Sequence, residues 1–258
     1  MNTNKDKIAW ASGGRQCELR IFGKPEFLLL QPADEHDWKL LDQEAEAIAG
    51  MTEAGFALGA FMVKDWNAEL SPWEAPAVFG NENFGNGAGE TLAFIEKTWI
   101  PEIFRRLQTA DEEAGAGILD AAAEVPVIIG GYSLAGLFSL WSVYQTGRFA
   151  AAAAASPSVW FPCWVDFVER EESQASCIYL SLGDKEERAR NQQMARVGAC
   201  IRRQHEILRQ KETVKACTLE WNPGNHFRDP DLRTAKGFAW CVNKLKTIGE
   251  PVGKGTER

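Results

Sequence analysis

The chain of 258 residues predicts an α/β fold, a mostly parallel central sheet with helices on both faces, and three observations carry that prediction. Short apolar runs alternate with longer amphipathic stretches after residue 25. Parallel strands joined by helices require this alternation, because each right-handed crossover lays a helix against one face of the sheet. One apolar run also leads through a glycine turn straight into an apolar helix. No linker or repeat interrupts the order, so residues 1–248 are expected to form one domain, with the polar, glycine-bearing stretch 249–258 as a flexible tail.

The runs that suit strands are Cys17 to Phe22, Glu26 to Gln31, Phe56 to Val63, Val125 to Gly130, Phe149 to Ala155, Cys177 to Leu182 and Ala216 to Trp221. Between them, Asp37 can cap a helix whose apolar positions Leu41, Ala45 and Ile48 recur at helical spacing. A second helix spans Glu90 to Leu107 and should kink or divide at Pro101, which lacks a backbone N–H. Leu134 to Tyr144 reads as a third. Glu187 to Lys211 reads as one long helix with Met194, Val197, Ile201 and Leu208 on a single face, and Leu232 to Leu245 as the last.

Composition narrows the function. Apolar residues make up 45% and charged residues 25%, an ordinary balance for a globular protein that buries a core. A formal charge of −8 argues against nucleic acid, whose phosphates attract a basic stripe. The polar first seven residues lead into no apolar stretch of the kind a secretory signal needs, and no run is long enough to cross a bilayer. Six cysteines, widely spaced and falling inside strands or helices, read as reduced thiols of a cytoplasmic protein. With three histidines and no CxxC or HExxH pattern, neither a metal nor another cofactor is expected.

The sharpest signal is Pro126-Val-Ile-Ile-Gly-Gly-Tyr132-Ser133-Leu134-Ala135-Gly136, strand, tight turn and helix in succession. A serine on such a turn projects its hydroxyl into the open, and the flanking residues must be small to avoid the neighbouring elements. The pattern departs from G-x-S-x-G, with Ala135 two places after the serine, but alanine fits the space. A serine hydroxyl needs a base to take its proton, which makes Ser133 the candidate nucleophile and requires a histidine further along.

His226, in the turn-rich Trp221-Asn-Pro-Gly-Asn-His226 between the last strand and last helix, is the candidate base. His205 lies in line with Ile201 and Leu208 and reads as a packed histidine. His36, in Asp34-Glu35-His36-Asp37, either lines the pocket or marks a solvated helix start. An acid that fixes the base's tautomer is expected between serine and histidine. Gly183-Asp184-Lys185-Glu186-Glu187 offers three carboxylates. Glu186 is favoured, with Asp184 as the alternative, and these acids also suit the positive end of a following helix.

Together these residues resemble the esterase branch of the α/β-hydrolases that includes siderophore (enterochelin-type) esterases and S-formylglutathione hydrolases. Ala155-Ser-Pro-Ser158-Val-Trp160 and Gly224-Asn-His226 look like that family's loops after the nucleophile helix and around the base. The resemblance covers nearly the whole chain. It implies an α/β-hydrolase fold and an oxyanion hole of two backbone N–H groups, which it assigns to Leu134 and Ala33. The family's His-Gly after the early strand is here Gln31-Pro32-Ala33. Siderophore esterases usually show R-x-x-E-L where this chain has Trp66-Asn67-Ala-Glu-Leu70, and the missing arginine argues against an anionic iron chelate. Trp66, Asn67, Trp73 and Trp160 are the expected pocket residues, with Trp164 nearby; tryptophan that merely packs these loops is the alternative.

The expected activity is hydrolysis of a small-molecule carboxylic ester through a serine acyl-enzyme. The same residues would serve an acyltransferase, in which an alcohol or thiol replaces water. A binding protein that kept the fold without the activity is the non-enzyme alternative. The expected partner is the small ester alone, with no nucleic acid and no membrane, and the sequence leaves a homodimer open.

Overall fold

A computed structural model describes residues 5–78, 80–114 and 125–249. Eight strands form one sheet: β1 Lys5–Ser12, β2 Arg15–Phe22, β3 Phe27–Ala33, β4 Phe56–Met62, β5 Val127–Tyr132, β6 Ala151–Ala155, β7 Cys177–Gly183 and β8 Ala216–Asn222. Their order is β1-β2-β4-β3-β5-β6-β7-β8. The first two pairings, β1 with β2 and β2 with β4, are antiparallel, and the others are parallel. The predicted α/β architecture is therefore present. Apart from Gly249, the expected tail lies outside the described residues.

The helices are α1 Glu35–Met51, α2 Trp66–Leu70, α3 Ala88–Phe94, α4 Ile100–Ala114, α5 Ser133–Gln145, α6 Trp164–Arg170, α7 Gln192–Ala195, α8 Val197–Leu208 and α9 Pro230–Gly249. One face of the sheet carries α1 and α9, packed through Ala45, Ile48, Phe238 and Val242 against Leu29, Ile128 and Ala153. The larger core on the other face joins Trp99, Phe138 and Ile201 to Leu28, Leu30 and Ala152. Among the described residues no helix is long and apolar enough to cross a membrane.

Three elements differ from the sequence reading. β1 carries Lys5, Asp6 and Lys7 at its start and lies at the sheet's edge, where polar residues are tolerated, so no apolar run announced it. The helix expected to kink or divide at Pro101 instead carries a π-helical turn just before it, Ile95–Trp99, whose wide turn closes with Ile100 N–H on Ile95 O. Proline's missing donor at the next position makes a regular turn there costly. The long helix expected over 187–211 is broken into a 3-10 turn at Glu186–Arg188 followed by α7 and α8. Ala189 and Asn191 are extended between them, and the Asn191 side chain caps the new start by accepting from Gln193 and Met194 N–H.

Two features of the sheet prepare a site at its carboxyl edge. After β3 the chain turns to β4 on one side, and β5 returns on the other, so the loops at the carboxyl ends of β3 and β5 diverge and leave a crevice. β6, between β5 and β7, is five alanines, all fully buried.

Glu44 on α1 is buried, with Oε2 accepting from Gln31 Nε2 at 2.8 Å and Oε1 unpartnered. Burial pushes its carboxyl from the ordinary 4.5 up to about 8; Gln31 opposes the rise and Asp37 adds to it. A carboxyl raised on folding favours the folded state fully below the unfolded value and loses that contribution as pH climbs toward the folded one. The Glu44→Gln variant should therefore gain melting temperature relative to wild type between about pH 5 and pH 8. Parallel Tm curves for the two proteins across that window would contradict this.

Candidate active site

Ser133 sits where β5 meets α5, at φ +56°, a conformation sparsely open to residues with a side chain. The turn is tight enough that a Cβ on Gly131 would come within 2.7 Å of the Ala135 Cβ. Of the two positions, one must be glycine if the other is alanine, which accounts for the altered spacing of the motif. Turning at Ser133 leaves the first N–H groups of α5, Leu134 among them, without helical acceptors. Leu134 lines the cleft above the serine.

The structure brings Ser133, His226 and Glu186 into one hydrogen-bonded chain. His226 Nε2 is 3.0 Å from Ser133 Oγ, and Nδ1 is 2.7 Å from Glu186 Oε2. The break in the predicted long helix makes this possible, since the 3-10 turn folds Glu186 back under the β7 terminus. Asp184 takes a different place: exposed, with Oδ1 accepting from Gly224 N–H at 2.8 Å, it anchors the histidine loop. Burial alone would raise the Glu186 carboxyl. The hydrogen bond and charge of His226, with donors from Ser156 and Gly183, outweigh it and hold the group below its ordinary value.

Four further residues complete the site, none of them given a role by the sequence pattern. Arg233 donates to Glu186 Oε1 at 3.0 Å, and Tyr132 donates its hydroxyl to the His226 carbonyl at 2.7 Å. Ser156 donates to Glu186 Oε1 at 2.7 Å. Ser158 Oγ lies 3.4 Å from Ser133 Oγ, while its N–H donates to the Ser133 carbonyl. Arg233 is the one that could have been found: it stands four residues before Gly237 and eight before Cys241, on the buried face of α9.

Ala33 is not where the resemblance put it. It belongs to β3, is fully buried, and its carbonyl accepts from Val63 N–H, so its own N–H also faces β4. Leu28 N–H donates to Pro126 O on the β5 side, so within β3 the even-numbered residues face β5, and Asp34 follows the strand as the N-cap of α1. Pro32, which also faces β5, has no N–H to leave unsatisfied. The Asp34 carboxylate is tied away, accepting from His36 and Asp37 N–H as the N-cap of α1. Burial, then the charge of Asp34, raises Asp37 to about 7.

The cleft over the serine measures about 800 Å³. Trp66, Asn67 and Trp160 line it, joined by Phe84, Met194 and Phe227, the last 83% exposed beside the histidine. His36 and Asp34 stand on its rim. Trp73 does not reach it; its ring packs against Phe161, Trp164 and Phe167, and Nε1 donates to Pro162 O. Trp164 is likewise internal, donating to Gln204. Among the described residues no three of His, Cys, Asp and Glu cluster as metal ligands.

A serine at a strained strand-to-helix turn, at the carboxyl edge of a parallel sheet, with histidine after the last strand, defines the α/β-hydrolase fold. Solved structures share it. The siderophore hydrolase EstB from Aspergillus nidulans is 14% identical, with a TM-score of 0.68, over 93% of this chain and 95% of that one. An IroE-like serine hydrolase from Shewanella oneidensis is 13% identical, with a TM-score of 0.69, over 92% and 79%. The siderophore hydrolase EstA from Aspergillus nidulans is 16% identical, with a TM-score of 0.62, over 96% and 95%. No family model matches the chain, and no curated protein matches it in sequence.

Gly131→Ala should destabilise the fold by about 1–3 kcal/mol, the range for overpacking. Ala135→Gly in the same chain should return part of that loss, because the two carbons compete for one space. Denaturant melts of both single variants and the double variant test it; strict additivity would remove the steric account.

Proposed function

We propose that the protein is a serine hydrolase of carboxylic esters that works through an acyl-enzyme. The observation that carries the reading is the 3.0 Å and 2.7 Å chain from Ser133 through His226 to Glu186, opening on the cleft. Ser133 Oγ attacks the ester carbonyl carbon as its proton passes to His226 Nε2, and Glu186 steadies the imidazolium through Nδ1. The oxyanion that forms accepts from the N–H groups of Leu134 and Asp34. Collapse breaks the bond to the alcohol, which leaves with the proton from Nε2. Water then repeats the sequence on the acyl-serine and releases the acid.

Trp66, Phe84, Trp160 and Met194 favour a small-molecule ester with a bulky apolar or aromatic part. The solved structures named as siderophore hydrolases make a siderophore ester one member of the substrate panel, although Trp66 offers it no cation. No cofactor enters this chemistry. All six cysteines are free, three of them buried, which suits a reducing compartment and the cytoplasmic placement.

Turnover of p-nitrophenyl esters of increasing chain length tests the reading. Ser133→Ala and His226→Ala should each lower kcat/KM by at least about 10³-fold while remaining folded. A fluorophosphonate should label wild type and leave Ser133→Ala untouched. Wild type that neither turns over an ester nor takes the label would end the hydrolase reading.

A further inference from the structure

Arg233 is a cation with only 2% of its surface exposed, on α9 and outside the lining of the cleft. An unpaired charge in that position would be strongly destabilising, so its partners matter. Nη1 reaches Glu186 Oε1 at 3.0 Å, Ser156 Oγ at 3.1 Å and Tyr132 Oη at 3.1 Å. Nη2 reaches the carbonyls of Pro223 and Asn225, both at 3.1 Å. These acceptors belong to the ends of β5 and β6, the acid loop and the histidine loop. One planar fork thus touches the support of each member of the chain Ser133–His226–Glu186, a task for which lysine has too few fixed donors.

We propose that Arg233 is the positioning residue of this site: its fork holds Glu186 and the histidine loop in register with Ser133. Its charge offsets that of Glu186, so that His226 serves as a free base at lower pH than an uncompensated carboxylate would allow. The second half rests on simple electrostatics. An imidazolium facing a lone carboxylate is stabilised more than one facing a carboxylate already paired on its other oxygen.

Among the described residues, His226 and Arg233 are the charged groups within ion-pair distance of Glu186. Asp184 faces the histidine loop but is bound to Gly224 N–H, and Arg228 and Asp229 pair with each other at 3.2 Å. Burial lifts Tyr132 to about 12, which keeps it neutral. Across the cleft stand Asp34, His36, Asp37 and Arg190. Burial raises Asp37 to about 7, and Arg233 is not among the groups that shift it.

The kinetic arm rests on the hydrolase reading; the spectroscopic arm does not. Arg233→Met and Arg233→Lys in the full chain are compared with wild type by kcat/KM against pH and by NMR titration of the His226 ring protons, assigned by their loss in His226→Ala. In Arg233→Met, turnover should fall by roughly 10²-fold, the scale of an ångström's misplacement. The acid limb and the NMR midpoint should both move up by about one pH unit. Arg233→Lys should lose turnover with the limb and midpoint close to wild type, since the charge remains. If Arg233→Met does not fold, Arg233→Gln, which keeps hydrogen bonding without charge, takes its place with the same expected upward shift. A folded neutral variant with an unmoved midpoint, or lysine as active as arginine, would overturn the proposal. Wild type inert toward every ester, with the midpoint still rising in Arg233→Met, would sink the hydrolase reading and leave this one standing.

Discussion

A carboxylate taken out of water persists only where donors and a cation surround it, and the layout around Ser133 depends on how Glu186 meets that demand. Its two oxygens accept from Gly183 N–H, Ser156, Arg233 and His226. Each donor comes from a different segment: the end of β7, the end of β6, helix α9 and the loop after β8. Satisfying one buried charge therefore fixes four pieces of chain relative to each other. The histidine arrives at its serine as a consequence of that closure.

A second constraint is the backbone at the edge of the sheet. Because β4 and β5 flank β3 on opposite sides, the β3 and β5 loops part, and the crevice between them needs no excavation by side chains. The strained φ of Ser133 and the open N–H groups of α5 then face the same space. Aromatic side chains from α2, the segment around Phe84 and the loop after β6 wall it, which makes the cleft apolar around a small polar centre.

Much of this was legible in the sequence, for identifiable reasons. Seven strands announced themselves because buried parallel strands must be apolar, and the Gly130-Gly-Tyr-Ser133 turn because only small residues survive there. Glu186 was legible as the favoured of three acids, and the 3-10 turn is what carries it, and not Asp184, to the histidine. What escaped were residues whose meaning depends on distant partners. The spacing of Arg233 puts it on the buried face of α9, but its role needs its acceptors on four other segments. Trp73 read as a pocket residue because its loop lies near the site, while its ring turns inward. Ala33 was named as an oxyanion donor without its register, and in a strand the register decides which neighbour each N–H faces.

The run of five alanines in β6 does more than fill the core. Ala151 and Ala153 face α9 beside Phe238, and a Cβ added at Gly237 would stand 3.3 Å from that of Ala153. Alanine methyls thus keep β6 thin where α9, the helix that carries Arg233, packs beside Phe238 and Tyr179. They act as a gauge block, a thin shim that sets how deep a guanidinium on α9 can reach. A bulkier strand at this spot would press on that helix without touching any reactive group, and its effect would be felt as chemistry slowed from a distance. Strand β6, the plainest stretch of the chain, is therefore the one whose monotony the site can least do without.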